Sequence, residues 1–369
     1  MKLTIAKDQI IGGLQAVQNI VGVRTTLPIL SNVLLRAAEG RLELTATDLD
    51  VTIVSAVEAQ VSKPGATTLP VKKLFSIVRE LATPELELEV DDKNCCSLRA
   101  GASFFRINGL AAEEFPPIPK FADKKHVALP QDKLKGMLRR TAFAVSTDET
   151  RYVLNGIFCS LKEHKVTLVA TDGRRLALTD EEVDITADSQ ADIIVPTKAI
   201  SELGRLLQEK GEVDITLTEN QAAFSLKNES GSSVLVVTKL VDGTYPNYRQ
   251  VIPTESKERI SLVREELLQA LRRAEIMTSD KSNSVKLAFS KNSLAITANT
   301  PEVGEARESL AINYKGKDFG IAFNPSFLLD ALKALDTDEV FLELTDELSP
   351  GVLKVNGPFL YVIMPMRMN

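Results

Sequence analysis

The chain has 369 residues, 44 Lys and Arg against 50 Asp and Glu, and a net charge of −6. With 44% hydrophobic and 25% charged residues it is long and apolar enough for two to four domains with real cores, which excludes a disordered chain. Aromatics at 5%, with no Trp, weigh against a binder that stacks single-stranded bases, and the acidic balance taken alone argues against nucleic acid as a partner.

In chain order, the opening MKLTIAKDQII meets Asp8 before any apolar run of signal-peptide length. No stretch reaches the ~18 apolar residues of a membrane span, so a soluble cytoplasmic protein with no membrane partner is expected. LTIAKDQIIGGLQAV, from residue 3, reads as a strand followed by an amphipathic helix over 7–24. GRLELTATDLDVTI (40–53) is a hairpin with a polar corner, and TTLPVKKLFSIVREL (67–81) is a strand leading into a second helix. Alternating strands follow from LELEV (86–90). The same series then recurs as VALPQDKLKGMLRRT (127–141), HKVTLVATDGRRLAL (164–178), DIIVPTKAISELGRLL (192–207) and DITLT (214–218). It recurs again as ISLVREELLQALRRA (260–274), NSLAITANTPEVGEA (292–306), FGIAFNPSFLLDALKAL (319–335) and VFLELT (340–345).

The offsets agree. Thr47 to Thr171 is 124 residues, Pro70 to Pro196 is 126 and Pro196 to Pro325 is 129. Solenoid periods run only to about 50 residues, so a period of one third of the chain means three whole domains. Polar connectors at 122–126 and 253–259 place them at 1–123, 124–255 and 256–369. Each is α+β, two helices against antiparallel sheets of roughly eight strands.

The expected helices are 7–24, 70–81, 130–145, 196–210, 263–277 and 325–335. They hold 16 cations and 9 anions, a net of +7, which leaves −13 for the rest of the chain. Solvated helix faces with i,i+4 pairs would explain this blandly. If the helices line one surface, that surface is basic within an acidic exterior and suited to sequence-independent phosphate contact.

No phosphate loop, dinucleotide fingerprint, HExxH or nucleophile elbow is present, and no cofactor is implied. Cys95, Cys96 and Cys159 lack metal or disulfide spacing. His126 and His164 sit in charged stretches and read as surface residues. The best acid constellation, Asp48, Asp50 and Asp172, allows a metal-dependent nuclease or phosphatase as the alternative function. Against it, Asp48 and Asp172 occupy one repeated hairpin corner, where an Asp commonly makes turn hydrogen bonds, and the third copy has Asn299–Thr300 there. A repeat-built protein scaffold that never meets DNA is the third reading.

RTTLPILSNVLL (24–35), RYVLNGI (151–157), VATDGRRLAL (169–178), KLVDGTYPNY (239–248) and VIMPMR (362–367) together resemble the bacterial DNA polymerase sliding clamps, the beta subunit of the replicative polymerase. The resemblance spans the chain. It implies a DNA clamp fold in which two protomers of three domains close a ring with twelve helices inside. Twelve helices of ~10 Å diameter fit an axis circle of roughly 38 Å and leave a bore of about 28 Å. It implies a non-catalytic processivity factor, a homodimer that encircles duplex DNA in the nucleoid-associated cytoplasm. Its implied partners are the replicative polymerase alpha subunit, a clamp loader and other proteins carrying a clamp-binding motif.

By the same resemblance DNA contact falls to Arg24, Lys72, Tyr152 and Lys198, to which the helix charge adds Arg139, Arg140, Arg205 and Arg272. The implied pocket for partner peptides comprises Leu154, Thr171, Gly173, Arg174, Arg175, Leu176, Pro246, Asn324, Phe327, Leu348, Met364, Pro365, Met366 and Arg367. Flexible, polarisable Met side chains suit a pocket with many clients. The implied dimer interface pairs Phe105 and Ile107 with Ile276 and Met277. Val153 stands where the family often has a second Tyr, and Arg174 where it commonly has His.

Overall fold

The computed structural model describes residues 1–22, 27–118, 121, 125–186, 189–227, 233–279 and 283–367. The chain divides into two compact units. The first comprises Met1–Lys135, Val183–Gln190 and Lys198–Leu240; the second comprises Gly136–Glu182, Ala191–Thr197 and Val241–Asn369. The boundaries of these units do not follow the sequence repeats: the middle repeat contributes residues to both.

The reason is strand pairing. One eight-stranded sheet of the first unit runs through Lys125–Pro130, Glu212–Leu217, Gln221–Lys227, Ser233–Lys239, Val51–Glu58, Arg41–Thr47, Asn32–Ala38 and Gly65–Pro70. Ser233–Lys239 from the middle repeat hydrogen-bonds to Val51–Glu58 from the first, in register from Ser233 opposite Ala56 to Thr238 opposite Val51. A five-stranded sheet, Gln60–Lys63, Lys2–Ala6, Glu85–Val90, Cys95–Ala100 and Ser103–Asn108, completes this unit.

The second unit repeats the device. Its eight strands are Ala191–Pro196, Gly156–Lys162, Lys165–Thr171, Arg175–Glu182, Phe359–Ile363, Gly351–Lys354, Glu339–Leu344 and Glu258–Val263. The crossing between repeats is Arg175–Glu182 against Phe359–Ile363. Its four-stranded sheet is Gly304–Ala311, Ser293–Thr300, Val285–Ser290 and Phe319–Phe323. Sheets are thus joined edge to edge between repeats at both internal junctions, which hides sheet edges that would otherwise be open.

Strand sequences dictate which face is buried. Glu85–Val90, Glu212–Leu217 and Glu339–Leu344 occupy the same place in the three repeats and alternate in burial identically, with every second residue buried.

Among the described residues six α-helices form: α1 Lys7–Val17, α2 Val71–Glu80, α3 Gln131–Thr141, α4 Thr197–Leu206, α5 Arg264–Glu275 and α6 Pro325–Ala334. The periodicity that predicts a helix over 7–24 outruns α1, because the chain tightens into a 3-10 turn at Gln18–Ile20 while still burying Ile20. α3 ends likewise in a 3-10 turn, Ala142–Ala144. Pro325 opens α6 behind Asn324, whose side chain caps the helix by accepting from the Ser326 N–H at 2.9 Å. α1 buries Ile10, Leu14 and Val17 over strands Arg41–Thr47 and Val51–Glu58, each large side chain contributing about 1.5–3 kcal/mol. Gly13 permits this approach, since a Cβ there would lie 2.7 Å from Leu44 Cδ1.

Cys95, Cys96 and Cys159 are free and buried. Burial pushes the Cys96 and Cys159 thiols up to about 12. Little thiolate then forms at mildly alkaline pH. Ellman's reagent is expected to leave both thiols unmodified in the native chain and to titrate all three cysteines once denaturant is added.

Candidate functional site

Two repeats turn the same corner with the same hydrogen bonds. Thr47 Oγ1 donates to the Val51 carbonyl at 3.1 Å and accepts from Leu49 N–H at 3.1 Å. Asp48 Oδ1 accepts from the N–H groups of Asp50 and Val51 at 3.1 and 2.8 Å. In the middle repeat Thr171 Oγ1 donates to the Arg175 carbonyl at 2.6 Å and accepts from Gly173 N–H at 3.1 Å. Asp172 Oδ1 accepts from Arg174 and Arg175 N–H at 2.9 and 3.1 Å. The residue after each Asp is left-handed, Leu49 at φ +80° and Gly173 at φ +85°. The third repeat turns differently, with Thr300 Oγ1 donating to the Met277 carbonyl.

These bonds account for the acid constellation. The second carboxylate oxygen of Asp48 pairs with Lys198, that of Asp172 accepts from Arg175 Nε at 3.0 Å, and Asp50 pairs with Lys239 at 3.0 Å. The corner aspartates are turn formers, each already matched to a cation. Among the described residues no three His, Cys, Asp or Glu side chains converge as a metal cluster would require. The nuclease alternative has no support.

Arg175 is the hub of the second unit's corner. Its side chain is only 10% exposed. Besides Asp172, it donates from Nη1 to Asp330 Oδ2 at 2.7 Å and from Nη2 to the Phe143 carbonyl at 2.7 Å. Its guanidinium lies 4.4 Å from the Phe327 ring centroid and 5.7 Å from that of Phe143. The phenol of Tyr361, raised by burial, donates to the Phe327 carbonyl at 3.0 Å. The corner, α6 and the turn after α3 are thus pinned to one another through one planar fork, and Tyr361 ties the last strand to α6.

Beside the corner the chain's tail leaves strand Phe359–Ile363. Met364 N–H donates to the Arg174 carbonyl at 2.9 Å and Met366 N–H to the Ala322 carbonyl at 2.8 Å. Met364, Met366 and Arg367 are exposed, and Pro365 is half-buried. Leu154, Leu176 and Val362 form a buried cluster with Val169, Ile194 and Tyr245, on which Phe158 stacks at 5.1 Å. A separate cavity of about 530 Å³ brings Arg174, Arg175 and Phe327 together with Phe143, Asp148 and Arg151. Thr171 is half-buried, and Gly173, Arg174 and Pro246 are exposed. Leu348 is 76% exposed on a turn tied by Asp346, while Asn324 is spent on the α6 cap. Phe143, Arg151 and Asp330 were not among the expected pocket residues. Arg151 lies inside the RYVLNGI motif, but nothing local marks Asp330, which lies 155 residues from its partner.

The six helices hold fourteen cations and eight anions, so the positive excess persists in the observed elements. Tyr152 is 59% exposed on the 3-10 turn Glu149–Leu154. Lys72 and Arg272 are exposed, on α2 and α5. Arg24 lies outside the described residues. Lys198 faces Asp48, Arg139 faces Asp336 and Arg205 faces Glu202. Arg140 is half-buried, and desolvation lowers its pKa against the opposing charge of Glu181. On edge strand Ser103–Asn108, Ile107 is buried, Phe105 half-buried and Phe104 56% exposed. Beyond α5, Ile276 is 74% exposed and Met277 half-buried.

Comparison with known proteins matches three family models in order along this chain. They are the DNA polymerase III beta subunit N-terminal domain at residues 1–119, the central domain at 128–247 and the C-terminal domain at 249–367. The chain belongs to the beta sliding clamp family. The beta sliding clamps of Chlamydia muridarum and Escherichia coli K12 are each 36% identical to it, with both chains covered completely. The crystal structure of the Bacillus subtilis clamp superposes with a TM-score of 0.94 at 32% identity, again over the whole of both chains.

Within this clamp, Arg175→Met would leave Asp172 and Asp330 without their cation at a mostly buried site. It should destabilise the second unit by about 2–4 kcal/mol in chemical denaturation. Asp330→Asn, which keeps an acceptor and lies nearer solvent, should cost less.

Proposed function

We propose that this chain is one half of a closed homodimeric ring that encircles duplex DNA without sequence preference and tethers the replicative polymerase to it. The observation that carries this reading is the succession of three clamp-domain matches along the full chain. The net positive charge of the helices in a chain of net −6 agrees with it. We take the repeats 1–123, 124–255 and 256–369 as the domains, with sheets that run on from one repeat into the next. The ring does no chemistry; it works by topology, so modest phosphate attraction serves it better than a tight grip.

Arg24, Lys72, Tyr152 and Lys198 are assigned to DNA contact, with Arg139, Arg205 and Arg272 adding to the field. Half-buried Arg140 contributes charge rather than contact. Partner peptides, including that of the polymerase alpha subunit and of an ATP-driven clamp loader, are assigned to the corner around Gly173, Arg174 and Phe327 and to the Met364–Arg367 tail. The exposed Met side chains and the Arg175-backed Phe327 ring support this, as an apolar anchor needs a firm apolar floor. Thr171, Leu154, Leu176, Pro246, Asn324 and Leu348 shape its walls and rim. For the dimer, the outermost strand Ser103–Asn108, carrying Phe105 and Ile107, is assigned to the region of Ile276 and Met277 in a second copy. The exposure of Phe104 and Ile276 supports an apolar contact there. The setting is the cytoplasm, on nucleoid DNA.

Loading onto nicked circular DNA by the cognate clamp loader and ATP tests this. Retention on the circle at raised salt, lost after a single restriction cut, is the expected result. Retention on both forms would mean ordinary electrostatic binding, and retention on neither would remove the ring.

A further inference from the structure

Several of the cations assigned to DNA are already engaged. Lys198, in the first turn of α4, forms an ion pair with Asp48 Oδ2 and reaches toward the Ile20 carbonyl at 3.5 Å. Arg205, in the last turn of α4, holds Glu202 Oε2 at 2.5 Å and donates to the α1 carbonyls of Gln15 and Ala16 at 2.9 and 2.7 Å. Arg139, on α3, donates from Nη1 to Asp336 Oδ1 at 2.8 Å and pairs with Oδ2 through its other arm. The same arrangement therefore occurs in both units. Lys72 and Arg272 have no carboxylate within 4 Å among the described residues.

A paired cation brings no net charge to a phosphate. Counterions leave DNA in proportion to the charge a protein adds, and the salt dependence of binding follows that number with a slope of about −0.9 per phosphate neutralised. A lysine that must first leave an aspartate exchanges one ion pair for another and releases almost none. The Lys198–Asp48 pair is also accessible enough to exchange, with the two side chains 47% and 22% exposed.

We propose that Asp48 and Asp336 are positioning residues that hold the DNA-facing cations Lys198 and Arg139 in internal ion pairs, thinning the ring's grip on the duplex so that it slides. This rests on the reading of those helices as the DNA-facing surface. Asp48 suits the role for a chemical reason. Its Oδ1 makes the corner hydrogen bonds while its Oδ2 faces Lys198. The two tasks lie on different oxygens, and Asp48→Asn keeps the first while removing the charge that serves the second.

The test uses the full-length dimer in four forms: wild type, Asp48→Asn, Asp336→Asn and the double variant Asp48→Asn with Lys198→Ala. Each is first loaded on nicked circles, then titrated with short linear duplex across a salt series. The expected result is about 3–10-fold tighter duplex binding at low salt for each Asn variant, with a slope steeper by about 0.9. The thermal midpoint should be unchanged and diffusion along DNA slower. In the double variant the gain should vanish. Wild type retained on circles, with Asn variants whose salt slopes run parallel to it, would overturn this proposal alone. So would a gain that survives loss of Lys198, since that is a general field effect rather than release of one cation. A wild type that slips from uncut circles would overturn the ring reading and this proposal together.

Discussion

An unpaired strand edge exposes a row of N–H and C=O groups that must find partners, and this constraint organises the chain. Here the middle repeat answers it on both sides. Its strand Ser233–Lys239 pairs with Val51–Glu58 in the first unit, and its strand Arg175–Glu182 pairs with Phe359–Ile363 in the second. The compact units therefore cut through the sequence repeat instead of following it. The functional corners sit beside these junctions. Asp48 and Asp172 each occupy the turn leading into a strand that crosses from one repeat to the next.

Much of this was legible in the residues. Period-two strands and period-3.6 helices located the elements, because each has one face in a core and one in solvent. The third-of-chain offset located the repeats. What stayed hidden depended on distance or on local exceptions. The 3-10 turns after α1 and α3 continue burying apolar residues, so their sequences look like more helix. Asp330 is an ordinary helical acid until the fold carries Arg175 to it. Which strands of neighbouring repeats pair with each other could not be read from repeat spacing, since the partners lie far apart. Which of Phe104 and Phe105 lies exposed on the edge strand is likewise set by the fold, since a strand has two faces and only packing says which is covered. The corner, by contrast, was legible at the level of chemistry: Thr-Asp before a left-handed residue implies side-chain hydrogen bonds to the next amides.

The two equivalent corners also illustrate how one scaffold takes separate tasks. Thr47–Val51 and Thr171–Arg175 have the same internal bonds. In the first, the outward carboxylate oxygen meets a lysine from α4. In the second, it meets Arg175, which reaches on to Asp330 and the Phe327 ring. The first supports a charged helix, the second an aromatic platform. Leu49 in the first adopts a backbone conformation that disfavours a side chain, where the second has Gly173.

The last strand crossing has a consequence for synthesis. Thr179, inside Arg175–Glu182, hydrogen-bonds to Pro358, 179 residues later. At about 5–20 residues per second a ribosome takes roughly 10–40 s to make that interval. The first unit needs only residues up to Leu240 and can close early. Throughout the wait, the nascent chain presents an open edge beside Leu176 and Ala177, two side chains buried in the finished fold. The emerging polypeptide is thus open to misassociation with a sister chain throughout that interval, at the strand whose partner is made so much later.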